Sequence, residues 1–234
     1  SIHSFPTRRS SDLVAMRFSD LLDAARSHPQ AVTIPAEWAQ GRASFGGLVA
    51  ALQYEALRAQ VPADRPLRSL AITFVGPVAP GVPASYQVEV LREGKAVSQL
   101  LGRVVQNGEV ATLVQASFGA SRESQVVVAS EPPPTFKHWE ECQELPYIQG
   151  VTPEFMRHLA MRWSVGGLPF TGNTSRDMGG WVRLRGDVKE EPLTESHILA
   201  LVDAWPPAVL PHLRKPEPGN TLTWTIEFIQ PLQD

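Results

Sequence analysis

Phe18-Ser19-Asp20-Leu21-Leu22-Asp23-Ala24-Ala25 alternates apolar and polar positions at helical spacing, which predicts a short amphipathic helix. Val32 to Trp38 reads as a strand. Gly46-Gly47 then opens a run from Leu48 to Arg58 that is rich in Ala and Leu, lacks Gly and Pro, and is apolar on nearly all sides. Such a run predicts a buried helix of about three turns, over about 46–60. Pro62 lies just past its end, where a helix is expected to stop. The period then changes. Leu67–Val75, Ala84–Arg92, Ala96–Val105 and Val110–Phe118 read as four strands, separated by Pro80-Gly81, Glu93-Gly94 and Asn107-Gly108. Asn-Gly between two alternating runs is a strong tight-hairpin signal. The first half is thus expected to be one buried helix followed by an antiparallel meander.

Residues 121 to about 150 break this pattern. Glu131-Pro132-Pro133-Pro134 fits neither a helix interior nor a central strand, and 123–150 is read as a linker. The second half repeats the order of the first. Phe155–Val165 and Gly180–Arg185 read as strands, and Glu195 to about Trp205 as a helix that Pro206-Pro207 ends. Thr221–Ile229 alternates as a strand. Two or three strands of a second meander would be missing, and the stop at Asp234 directly after an alternating segment suggests a partial reading frame. At the other end, Phe5-Pro6-Thr7-Arg8-Arg9-Ser10-Ser11-Asp12-Leu13 resembles a translated sequencing adapter. Residues 1–15 are read as an artefact or a disordered tail that packs against nothing.

Composition narrows the function classes. A hydrophobic share of 43% and a charged share of 19% are those of a globular chain. The net charge of −3 predicts no general affinity for nucleic acid or anionic membrane. No apolar run approaches the roughly 20 residues of a membrane helix. The single cysteine, Cys142, excludes an internal disulfide and a cysteine metal cluster, and it fits a reducing compartment. His28, His138, His158, His197 and His212 show no metal-binding spacing. There is no Gly-x-Ser-x-Gly elbow, phosphate loop or dinucleotide fingerprint.

Asp203 is the most informative residue. It follows Ile198–Val202, a run expected to be buried, and a buried carboxylate needs polar partners or a charge partner. Such a carboxylate can act as a general base on water; an Asp on an exposed stripe weighs equally from sequence alone. Gly46 and Gly47 permit close backbone approach and leave free N–H groups at a helix start, suited to an anion or a carbonyl oxygen. Plain turn and packing chemistry is the heavier reading of that pair alone. Thr221 carries no signal by itself, and Trp181, Trp205 and Trp224 are read as core.

Several stretches resemble acyl-CoA thioesterases of the thioesterase II type. Ala43-Ser44-Phe45-Gly46-Gly47-Leu48-Val49-Ala50-Ala51 is similar to that family's first Phe-Gly-Gly helix opening, and Val88-Glu89-Val90-Leu91-Arg92-Glu93-Gly94-Lys95 to its first hairpin. Leu70–Pro77 resembles a family strand with both of its histidines replaced, and Gln115-Ala116-Ser117-Phe118 a strand ending. Trp181-Val182-Arg183 and Leu199-Ala200-Leu201-Val202-Asp203 resemble the second half, so the likeness spans roughly 17–234. The resemblance implies an α+β double hotdog, two central helices each wrapped by an antiparallel sheet, the second incomplete. It divides the chain into 16–122 and 151–234.

The resemblance also implies hydrolysis of acyl-CoA by water held on an Asp, a Thr and a Gln. Asp203 matches the Asp and Thr221 the Thr, the Gln would lie beyond Asp234, and Thr223-Trp224 stand where the family has Asp-His. Phe45, Gly46 and Gly47 would bind substrate or the oxyanion. No cofactor and no metal is expected, and CoA enters only as part of the substrate. A cytoplasmic setting is expected, and assembly as a homo-oligomer is left open. Two other readings stay open: a non-catalytic acyl-thioester binder, and a dehydratase or hydratase of the same fold.

Overall fold

A computed structural model of the chain describes residues 16–129, 131–186 and 192–232; the expectation for residues 1–15 lies outside them. The first helix, α1 (Phe18–Ser27), buries Phe18, Leu21, Leu22 and Ala25 on one face, as its spacing predicts. The segment expected as a strand over Val32–Trp38 is not one. Val32 makes a single antiparallel bridge with Ala84, and Pro35, which brings no N–H to a ladder, leads into a 3-10 turn at Ala36–Trp38. Two-residue strands β1 (Ala39–Gln40) and β2 (Ala43–Ser44) pair with each other.

Helix α2 (Gly46–Arg58) is buried from Gly47 through Leu57. Its residues divide between two apolar clusters. Leu48, Val49, Ala51 and Leu52 pack with Phe18, Trp38, Phe45 and Phe155; Ala50, Tyr54 and Leu57 pack with Leu70, Val114 and Phe118. An all-round apolar helix is stable only when covered on several sides, and α2 is the axis of the molecule. Arg58 ends it by donating to the carbonyls of Val61, Pro62 and Arg65.

Strands β3 (Leu67–Phe74), β4 (Ser85–Glu93), β5 (Val97–Gln106) and β6 (Glu109–Gly119) form the expected meander. Asn107 and Gly108 both take positive φ, 53° and 82°, the geometry of a primed hairpin turn. The second half supplies β7 (Gln143–Glu144), β8 (Leu159–Val165), β9 (Gly179–Leu184), α3 (Glu195–Asp203) and β10 (Thr223–Glu227). The expected strand start at Phe155 is instead a 3-10 segment, Glu154–His158, behind Pro153.

Strands β7, β8 and β9 make one antiparallel sheet, in the order β7-β8-β9. Strand β10 does not join them. It pairs antiparallel with β3, so the larger sheet runs β10-β3-β6-β5-β4. The two halves thus share one sheet as well as one helix pair. Leu199 of α3 lies in the cluster under this sheet, while Ala200 lies in the other.

Two expectations about burial fail. Val202 is 51% exposed, so only Leu199 and Ala200 of the run before Asp203 are fully buried. Trp181 is 42% exposed. It donates to the Lys137 carbonyl and meets Phe136 edge-on, which satisfies its N–H at the surface rather than in the core.

Candidate active site

Helices α2 and α3 lie antiparallel. The start of α2 meets the end of α3, at Gly46, Gly47, Ala200 and Asp203. The later part of α2 meets the start of α3, where Ser196 donates to Glu55. Glycine is required at the first contact. A Cβ on Gly46 would stand 2.9 Å from Asp203 Oδ2 and 3.0 Å from the Phe74 ring. On Gly47 it would stand 2.9 Å from the Ala200 carbonyl oxygen, 2.9 Å from Asp203 Cβ and 2.7 Å from the Phe45 ring. No Cβ fits at such distances without a shift of its neighbours. The glycine pair therefore packs the helices and also brings backbone amides to a carboxylate.

Asp203 is partly buried at the last position of α3. Burial pushes its pKa up to about 6, and the Gly47 N–H turned toward the carboxylate holds it partly back. The C-terminal end of α3 disfavours negative charge, whereas the N-terminal end of α2 favours it. The first hydrogen bond of α2 runs from Val49 N–H to the Phe45 carbonyl, so the amides of Gly46, Gly47 and Leu48 precede the ladder. A carboxylate titrating near neutrality beside such amides can hold and deprotonate a water. Among the described residues, no charged side chain contributes to this shift.

Phe45 is fully buried and stacks on Phe155, with centroids 4.0 Å apart and planes 3° apart. It meets the site by packing on Gly47. Thr221 is exposed and precedes β10. It is tied to the site through its neighbour: the Leu222 carbonyl accepts the Phe74 N–H at 2.9 Å, and the Phe74 ring abuts Gly46. Trp224 and Ile226 of β10 pack toward the helices, while Thr223 and Thr225 are exposed. On that alternation position 221 falls with the outward set. The structure thus brings Asp203, Gly46 and Gly47 together, and shows no hydrogen bond from Thr221 to Asp203 among the described residues. Sequence reasoning did not place Phe74 at the site; its signals were its inward parity on β3 and its place in the Leu70–Pro77 stretch that resembles a family strand.

His197 is buried and, among the described residues, is not one of the groups that shift Asp203. Its ring packs on Phe18, and Nδ1 lies 2.9 Å from the Thr194 hydroxyl. Among the described residues no cluster of three His, Cys, Asp or Glu side chains could hold a metal. None of their helices is long and apolar enough to cross a membrane. A separate surface pocket is lined by Met16, Arg17, Trp38, His158 and Arg185. It lies apart from Asp203, and its arginines are engaged with Asp20 and Glu144.

Two family models match the chain, together covering well over half of it. Residues 34–119 match the acyl-CoA thioesterase N-terminal domain and 139–234 the acyl-CoA thioesterase C-terminal domain. The chain belongs to the acyl-CoA thioesterase family. That membership supports a thioester hydrolase. No curated protein matches the chain.

Solved structures agree on the fold. A conserved protein of unknown function with a hotdog fold, from Alicyclobacillus acidocaldarius, superposes with a TM-score of 0.75 at 22% identity. The match covers 90% of this chain and 78% of that one. A provisionally named thioesterase II from Thermobifida fusca gives 0.71 at 18% identity, over 91% and 80% of the two chains. An acyl-CoA thioesterase II from Mycobacterium marinum gives 0.55 at 19% identity, over 74% and 60%. This acyl-CoA thioesterase-family chain is accordingly an α+β double hotdog, with a smaller second sheet.

Proposed function

We propose that this chain hydrolyses acyl-CoA thioesters to the free acid and CoA, with Asp203 as the general base. The observation that carries the reading is the carboxylate of Asp203 set against the Gly46-Gly47 start of α2. A water on Asp203 attacks the thioester carbonyl carbon and gives its proton to the carboxylate. The tetrahedral oxyanion is stabilised by amides of the first turn of α2, which spend no hydrogen bond within the helix. Collapse expels the CoA thiolate, which takes up a proton. No covalent intermediate and no cofactor is needed.

Thr221 completes the proposal as a second holder of the water. It would have to turn inward ahead of β10 to reach Asp203. An acyl-CoA substrate, a role in lipid metabolism and a cytoplasmic setting go with this reading, the last supported by the lone cysteine.

The test is release of CoA thiol from a panel running from acetyl-CoA to palmitoyl-CoA. Asp203→Asn keeps the shape and removes the base, and should lower kcat by roughly 10²-fold or more. Near-normal turnover by that variant sinks the mechanism. Thr221→Val should lower kcat about tenfold if the hydroxyl holds the water; an unchanged rate removes Thr221 from the site. The exposed position of Thr221 favours one other reading, a non-catalytic acyl-thioester binder. It would show as acyl-CoA binding by calorimetry without thiol release.

A further inference from the structure

The helix pair carries a second carboxylate in a place that mirrors that of Asp203. Asp203 lies seven residues after Ser196 on α3 and faces the first turn of α2. Glu55 lies eight residues after Gly47 on α2 and faces the first turn of α3, where the Ser196 hydroxyl donates to its Oε1. At about 1.5 Å of rise per residue, the two contacts stand roughly 10–12 Å apart along the pair.

Their surroundings differ in one respect. Among the described residues, no cation contributes to the shift at Asp203. Glu55 is held by Arg26 of α1 through a two-point contact, Nε to Oε2 at 2.6 Å and Nη2 to Oε1 at 3.1 Å. Glu55 is 6% exposed and Ser196 is fully buried. Beside them Tyr54 faces Glu195, and burial with that carboxylate pushes the phenol pKa up. Three helices therefore meet at one buried, fully engaged carboxylate.

We infer that Glu55, Ser196 and Arg26 are positioning residues that set the axial register of α2 against α3, and so hold the amides at Gly46 and Gly47 against Asp203. A helix pair packed through small residues has less side-chain interlock to resist sliding, and Gly46 and Gly47 themselves supply none at their end. The two-point guanidinium contact is directional and fixes the Glu55 carboxylate from α1, and the Ser196 hydroxyl ties α3 to that fixed carboxylate, so anchoring this end of the pair holds the other. A slip of one residue, about 1.5 Å, would carry the Gly46-Gly47 start away from the carboxylate against which it is packed. The catalytic meaning of this clamp rests on the hydrolysis proposed above; its geometric effect does not.

The test titrates the Asp203 carboxyl by 13C NMR in the full chain, beside kcat and KM for acyl-CoA. The variants are Ser196→Ala, Glu55→Gln and Arg26→Lys. Arg26→Lys keeps the charge and loses the two-point grip, at a half-exposed side chain that leaves folding intact if the buried variants do not fold. The expected result is a rise of at least about half a unit in the Asp203 pKa, as the Gly47 contact that lowers it is lost. With it kcat should fall about three- to tenfold while KM stays within about twofold. An unchanged or lowered Asp203 pKa in folded variants overturns the inference, whatever happens to the melting temperature. If the pKa rises and the wild-type chain releases no thiol from any acyl-CoA, the clamp stands and the hydrolase reading fails.

Discussion

Asp203 gives the sharpest consequences at the scale of one residue. Its pKa is raised by burial to about 6, from 3.8, so kcat should fall as pH drops through about 6 and the base is protonated. The sign for stability is opposite. Below about 3.8 the group is protonated in both native and unfolded chains and its burial costs little. Between 3.8 and about 6 the native state holds an extra proton. Above about 6 both states are ionised, and the native one bears the cost of a partly buried charge. Stability from this site is therefore lost as pH rises through that window. Asp203→Asn should stabilise the fold by roughly 1–3 kcal/mol at pH 8, with the gain shrinking below pH 4. Urea unfolding at both pH values checks this, and a destabilised variant at pH 8 contradicts it. Gly47→Ala tests the close approach. Its Cβ would stand 2.9 Å from the Ala200 carbonyl oxygen, so a loss of roughly 1–3 kcal/mol is expected, with at least a tenfold lower kcat. Activity at the wild-type level would show that the helices part there without consequence.

At the scale of elements, the hairpin between β5 and β6 should affect stability alone. Gly108 holds φ at 82°, where a Cβ is strained, and nothing lies within 4 Å of the Cβ it would carry. Gly108→Ala should thus cost about 1 kcal/mol with kcat and KM unchanged, read by thermal denaturation and thiol release. A changed KM would mean that this turn reaches the substrate. Helix α2 and the meander were legible because each carries a local period: apolar on nearly all sides from Leu48 to Leu57, then alternation with turn residues between runs. Val32–Trp38 and Phe155–His158 misled the same reasoning, because a proline in or before an apolar stretch favoured a 3-10 turn over a ladder.

At the scale of the molecule, the contacts that join the halves include a shared sheet, a helix pair and an aromatic stack. Strand β10 extends the sheet of the first half, α2 packs on α3, and Phe45 stacks on Phe155. Two halves so joined should unfold together. A single denaturation transition is expected by both fluorescence and circular dichroism, and two separate steps would show that the halves are independent. Phe155→Ala, which empties one side of the stack, should cost roughly 3–5 kcal/mol and shift that one transition as a whole.

The sequence by itself determined what depends on neighbours along the chain. Helix and strand periods, the Asn107-Gly108 turn, the Gly46-Gly47 helix start and a carboxylate closing an apolar helical run are all local patterns. The family likeness at Phe45–Ala51 and Leu199–Asp203 was legible for the same reason. The tertiary structure alone decided what those residues face. The contact between Ser196 and Glu55 spans 141 positions and that between Arg26 and Glu55 spans 29, and no local pattern encodes either. Nor does alternation say which sheet β10 joins, since an amphipathic strand can pair along any free edge of matching face. The antiparallel meeting of α2 and α3 turned a glycine pair and a distant aspartate into one site, because it brings a helix start without Cβ atoms within reach of a partly buried carboxylate.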